Sequence, residues 1–133
     1  METHIKVIGT FLILLALVHV IFPKYFDWKK ELQSLSLINR QMMVVHTFFI
    51  ALIVFLMGLM CFLYSAELVH NSFGKVISLG LGIFWGIRFF IQFFGYSTAL
   101  WKGKTFETTV HIVFSLFWGY ITVIFLSNYF NSI

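Results

Sequence analysis

Four stretches of this chain run almost without polar interruption: residues 5–22, 42–64, 76–96 and 108–130. Each is about the length of ~20 mostly apolar residues that crosses roughly 30 Å of hydrocarbon. Phe, Leu and Ile dominate the runs and also favour strands, so a barrel has to be weighed. Barrel strands alternate apolar and polar positions over about ten residues. These runs are continuous and roughly twice that length. The pattern predicts an all-α integral membrane protein, a four-transmembrane-helix bundle built as a single membrane domain over residues 1–133.

Between the first two runs lies the longest polar interval, residues 23–41. Asp27 is placed to cap a helix, and Trp28, Leu32 and Leu35 recur at i, i+4 and i+7. Lys29, Lys30, Glu31, Gln33 and Ser34 fill the other face, which describes a short interfacial helix in the first cytoplasmic loop. A plain linker anchored by aromatics fits the same residues. Tyr25, Phe26, Trp28 and Trp101 then form an aromatic belt at that level. A cleaved signal peptide is the alternative for the first run. Glu2 offsets Lys6 at its amino end, however, and no small-x-small site follows it.

Composition agrees with the pattern. Of the 133 residues, 60% are hydrophobic and only 11% charged, against about 25% charged in a soluble domain. So few charges cannot cover a water-facing surface, and the lipid bilayer is the expected partner. The net charge of +4 does not read as a nucleic-acid footprint, because the basic residues sit in short loops. Cys61 is the lone cysteine, which excludes an internal disulfide and any CxxC motif.

Charge placement gives an orientation. With four spans, Lys6 and Lys75 share one side, while Lys24, Lys29, Lys30, Arg40, Lys102 and Lys104 share the other. The positive-inside bias puts the second side in the cytoplasm. Both termini are expected outside, in a bacterial-type inner membrane or its equivalent.

The chemistry lies in the polar residues within the runs. His19 is four residues before Pro23, His46 four past Met42, and His111 four past Glu107. Each is about 6 Å, one turn, inside the cytoplasmic boundary. The third run adds Arg88 and Gln92 at i, i+4, with Trp85 and Tyr96 on the same stripe. Arg88 is about 13 Å from that boundary, where an unpaired arginine costs at least about 2.5–3.5 kcal/mol. The five acidic residues, Glu2, Asp27, Glu31, Glu67 and Glu107, all fall in loops or at run edges. Arg88 therefore needs Gln92, backbone carbonyls, snorkelling or an anionic ligand.

Gly82 and Gly86 form a GxxxG on the face roughly opposite Arg88, a motif that lets another helix approach closely. It offers a face to a homo-oligomer or to a membrane-complex partner. The fourth run carries a semi-polar stripe of His111, Ser115, Trp118 and Thr122, beginning at the level to meet Arg88's side.

Three function classes follow. The first is a His/Arg/Gln pocket near the cytoplasmic face, with His19, His46, His111, Arg88, Gln92 and Trp85 binding a redox cofactor or a lipophilic anionic ligand. Haem or a metal ion would use His19, His46 and His111 as ligands; a quinone or lipid head suits the same set. No HxxxH, CxxCH or His-carboxylate spacing selects a metal. The second is a non-catalytic subunit or assembly factor of a larger membrane complex. The third is a membrane enzyme acting on a lipid-soluble substrate, with a histidine as general acid or base. A purely structural polar cluster is the plain alternative to all three.

Overall fold

The computed structural model describes residues 1–131. Their regular structure is all helical, with no strand among them. The elements are α1 (Glu2–His19), α2 (Phe22–Tyr25), α3 (Trp28–Glu31), α4 (Leu37–Leu63), α5 (Ser65–His70), α6 (Ser72–Phe94) and α7 (Thr105–Phe130), with a 3₁₀ turn at Thr98–Leu100. Four of them, α1, α4, α6 and α7, are long and apolar enough to cross a membrane.

The boundaries differ from the apolar runs for local reasons. Helix α1 stops at His19 rather than residue 22, and a separate turn, α2, begins at Phe22 with Pro23 in its first turn, where the missing N–H is not needed. The chain instead closes with tight turns, Val20 N–H to the Leu17 carbonyl and Ile21 N–H to the Val18 carbonyl. Helix α4 begins five residues before Met42, since Ser36 caps it by accepting from Asn39 N–H. Asn71 likewise starts α6 at Ser72, accepting from Phe73 N–H at 2.8 Å.

The interfacial helix expected over Trp28–Leu35 shrinks to the single turn α3. Asp27 takes a left-handed conformation (φ 51°) and makes no side-chain cap. Without a cap, so short a segment does not recover the cost of its first turn.

The chain divides into two compact units. One is Ile5–Ser65, built on α1 and α4. There Gly9 and Gly58 let the backbones touch: a Cβ on Gly9 would lie 2.7 Å from the Gly58 carbonyl oxygen and 2.7 Å from the Phe62 nitrogen. The spacing of apolar residues does not announce this close crossing.

The other unit joins Met1–His4 to the chain from Ala66 onward. Helices α6 and α7 form an antiparallel pair within it, along a stripe of Ser78, Gly82, Trp85 and Gln92 facing Trp118, Ile121, Phe125 and Asn128, all buried. A Cβ on Gly82 would come within 2.6 Å of the Leu126 side chain, and one on Gly86 within 3.3 Å of Thr122. The Gly82/Gly86 face, expected to meet a partner, is thus occupied by α7 of the same chain.

At the far end of the pair, Asn128 donates through its one amide nitrogen to the Leu68 carbonyl (2.8 Å) and to Ser78 Oγ (2.7 Å). Ser78 passes its own proton to the Gly74 carbonyl at 3.1 Å. Near that end Glu2 Oε1 accepts from His70 at 2.6 Å. His4 Nδ1 bonds the Tyr120 hydroxyl at 2.7 Å, tying the amino terminus to α7.

Candidate functional site

The polar residues of α6 and α7 form one hydrogen-bonded chain. Arg88 and Gln92 are one turn apart on α6, so their side chains meet: an Arg88 terminal nitrogen (Nη1) donates to Gln92 Oε1 at 3.2 Å. That fixes the orientation of the amide. Gln92 Nε2 then faces His111 Nδ1 at 2.9 Å and must donate to it. An imidazole accepting at Nδ1 carries its proton on Nε2. The chain therefore runs in one direction, Arg88 to Gln92 to His111, and both of its ends are N–H donors.

Aromatic rings hold this chain on each side. The Arg88 guanidinium carbon lies 5.0 Å from the Trp118 ring centroid and 5.6 Å from that of Tyr96, within the range of cation–π attraction. Trp118 stacks on Trp85 with centroids 5.0 Å apart and planes 9° from parallel. The His111 ring stacks on Trp101 at 3.9 Å and meets the edge of Phe93 at 5.8 Å.

Trp101 reaches His111 because the connection between α6 and α7 is folded back. Ser97 caps the 3₁₀ turn, accepting from Ala99 N–H, and Gly103 takes a φ of 77°. Thr108 then donates to the Trp101 carbonyl at 2.6 Å, pinning the loop to the first turn of α7.

The electrostatics of Arg88 are unbalanced. A guanidinium carries five N–H donors, and Gln92 takes one of them. No carboxylate pairs with Arg88 among the described residues. Gln92, Trp85 and Trp118 are buried, and Arg88 and His111 are half-buried. The indole N–H groups of Trp85 and Trp118 are also buried without an acceptor. The unmatched groups at this site are all donors. Ser115 and Thr122 add nothing to them, since each hydroxyl donates to its own helix, at the carbonyls of His111 and Trp118.

No protein-family profile, curated protein or solved structure matches the chain. The site therefore has to be read from its own chemistry.

Of the residues singled out in the sequence, the structure brings together Trp85, Arg88, Gln92 and His111. His19 and His46 belong to the other unit. His19 is the last residue of α1 and is bonded through Nδ1 to the Leu15 carbonyl at 2.8 Å. His46 is exposed and lies in the third turn of α4, so its expected one-turn offset from a helix end does not hold. Among the described residues no group of three or more His, Cys, Asp or Glu could hold a metal ion. The donor set around His111 argues the same way, because a guanidinium and an amide nitrogen donate where a cation needs acceptors.

Trp101, Trp118 and Tyr96 complete the site. The sequence places Trp101 only in an interfacial belt, and no signal there connects it to His111. Trp118 is legible as part of the α7 stripe, and Tyr96 as part of the Arg88 stripe. A separate open cavity of about 590 Å³, lined by His70, Ser72, Lys75, Tyr129 and Phe130, lies at the opposite end of the α6–α7 pair.

Proposed function

We propose that this chain is a four-span membrane protein, with both termini outside the cytoplasm, that binds a lipophilic ligand bearing an anionic head at Arg88. The observation that carries this is the uncompensated guanidinium, half-buried in a helix apolar enough to span a bilayer. An arginine at the centre of a span costs about 2.5–3.5 kcal/mol unless it finds partners. Part of that cost falls on Arg88, which lies six residues before the end of α6 at Phe94. One amide oxygen and two rings are modest partners, and an anion would offset much of the cost. The rings along this polar chain, Trp118 and Tyr96 at Arg88 and Phe93 at His111, suit a hydrocarbon chain entering from the lipid.

A haem or metal role draws no support from the residues gathered here, because His111 is the single imidazole among them and, accepting at Nδ1, carries its proton on Nε2 where a metal would bind. A neutral quinone would accept hydrogen bonds but leave the charge unmatched. The second reading, a subunit of a larger membrane complex, rests on the same observation: a carboxylate on a partner helix would also match Arg88. It no longer rests on Gly82 and Gly86, which α7 covers.

Mass spectrometry of lipids and proteins co-purifying with wild type and with Arg88→Gln tests the proposal. Loss of one lipophilic acid from the variant supports ligand binding, and loss of a protein supports the subunit. Identical co-purifying species in both would overturn the assignment of Arg88.

A further inference from the structure

The position one turn after Arg88 is where an intrahelical carboxylate would neutralise it, at the i, i+4 spacing of helical ion pairs. The chain places Gln92 there. Glutamine has the shape of glutamate but no charge, and here its oxygen faces Arg88 at 3.2 Å while its nitrogen faces His111 at 2.9 Å. A carboxylate at this position would match the guanidinium within the helix. The amide leaves the positive charge open and donates to Nδ1 of His111.

The consequence concerns what the site accepts. One uncompensated positive charge asks for one negative charge. The remaining N–H groups of Arg88 ask for acceptors, whereas the indole N–H groups of Trp85 and Trp118 are buried and not presented to a ligand. A head that can only donate, such as an ammonium, meets like groups, and an alcohol can accept a hydrogen bond but leaves the charge unmatched. A deprotonated oxyacid satisfies the charge, and its oxygens can take two guanidinium N–H bonds at once.

We propose that Gln92 is the specificity-determining residue of this site. By withholding a carboxylate from Arg88 it selects a singly charged, deprotonated oxyacid head on an apolar chain, the chemistry shared by a long-chain carboxylate and a phosphodiester lipid. Gln92 acts here as a positioning residue through Arg88 and His111. The inference rests on Arg88-dependent binding.

Binding of labelled oleate to the full chain in neutral detergent, with unlabelled competitors, tests it. Oleate should bind wild type, and methyl oleate, oleyl alcohol and dioleoyl phosphatidylcholine should compete poorly. Competition by dioleoyl phosphatidylglycerol identifies a lipid headgroup as an occupant; its failure to compete identifies the free acid. Gln92→Glu supplies the carboxylate within the chain and should lower oleate affinity roughly 30-fold or more, as expected for a filled charge partner. Its thermal unfolding should be unimpaired, and Arg88→Lys should retain part of the binding. Oleate binding by Gln92→Glu equal to wild type, or oleyl alcohol competing as well as oleate, would overturn the selectivity. Binding that survives Arg88→Gln, or no binding of either acid by wild type, would overturn the Arg88 site itself.

Discussion

Gln92 Nε2 lies 2.9 Å from Nδ1 of His111, joining α6 to α7 by a bond whose direction Arg88 sets from the other end of the amide. A polar chain of this kind, edged by Trp85, Trp118, Tyr96 and Trp101, is costly to bury and of little use to a purely apolar helix pair. It gives one end of α6–α7 a defined charge and a defined hydrogen-bond polarity. Its behaviour under substitution separates a binding site from a structural tie.

Removing the imidazole should weaken binding without abolishing the fold. In His111→Ala the Gln92 nitrogen loses its acceptor and Trp101 its stacking partner, so ligand affinity should fall roughly tenfold, the effect of about 1.4 kcal/mol. His46→Ala, on an exposed face of α4, should bind as wild type does. Oleate titrations of the two variants side by side check this. Equal losses in both would contradict the placement of the site on α6 and α7.

Packing of the helix pair is testable at its glycines. Gly82→Ala would bring a methyl within 2.6 Å of the flexible Leu126 side chain, which must shift, and should cost about 1 kcal/mol, the low end of overpacking. Gly80 has nothing within 4 Å, so Gly80→Ala should be neutral or stabilise by up to about 1 kcal/mol. Thermal unfolding in detergent compares them, and a Gly82→Ala that stabilises as much as Gly80→Ala would argue against the close approach of α6 to α7.

The α1–α4 contact should be less forgiving. A Cβ on Gly9 meets backbone atoms of Gly58 and Phe62 at 2.7 Å, and backbone yields less readily than the flexible end of Leu126. Gly9→Ala should therefore destabilise more than Gly82→Ala in the same assay. The reverse order would argue against a backbone-to-backbone crossing.

Asn128 closes the opposite end of the α6–α7 pair through two hydrogen bonds. Asn128→Ala removes both and should cost about 1–2 kcal/mol in unfolding free energy. Oleate affinity should be unchanged, because Ser78 and Leu68 lie far along the helices from Arg88. A variant that loses ligand while keeping its stability would be the contrary result.

These contrasts also mark what the sequence makes legible. The four long helices can be read because continuous apolar runs of about twenty residues match the thickness of a bilayer and exceed the length of a barrel strand. Arg88 and Gln92 can be paired because i, i+4 spacing forces them onto one face. His111 falls at the right level by topology alone. The shared layer of three histidines depends on assumed helix ends, and Ser36 moves the start of α4 enough to put His46 deeper along its helix. Gly82 and Gly86 announce a close helix but not which one, since small residues serve contacts within and between chains equally. The Trp101–His111 stack depends on how a loop folds back, and Asn128–Ser78 on the register between two helices. Neither leaves a periodic trace.

The most direct measurement is quenching of indole fluorescence by a brominated long-chain acid, in a background carrying Trp28→Phe and Trp101→Phe so that Trp85 and Trp118 report. Arg88 lies against Trp118, and Trp118 stacks on Trp85. An acid held by Arg88 should quench both saturably in the wild-type site and only weakly in Arg88→Gln. Quenching of equal strength in the two proteins would mean that the acid meets the tryptophans from the surrounding lipid, and that Arg88 holds no ligand.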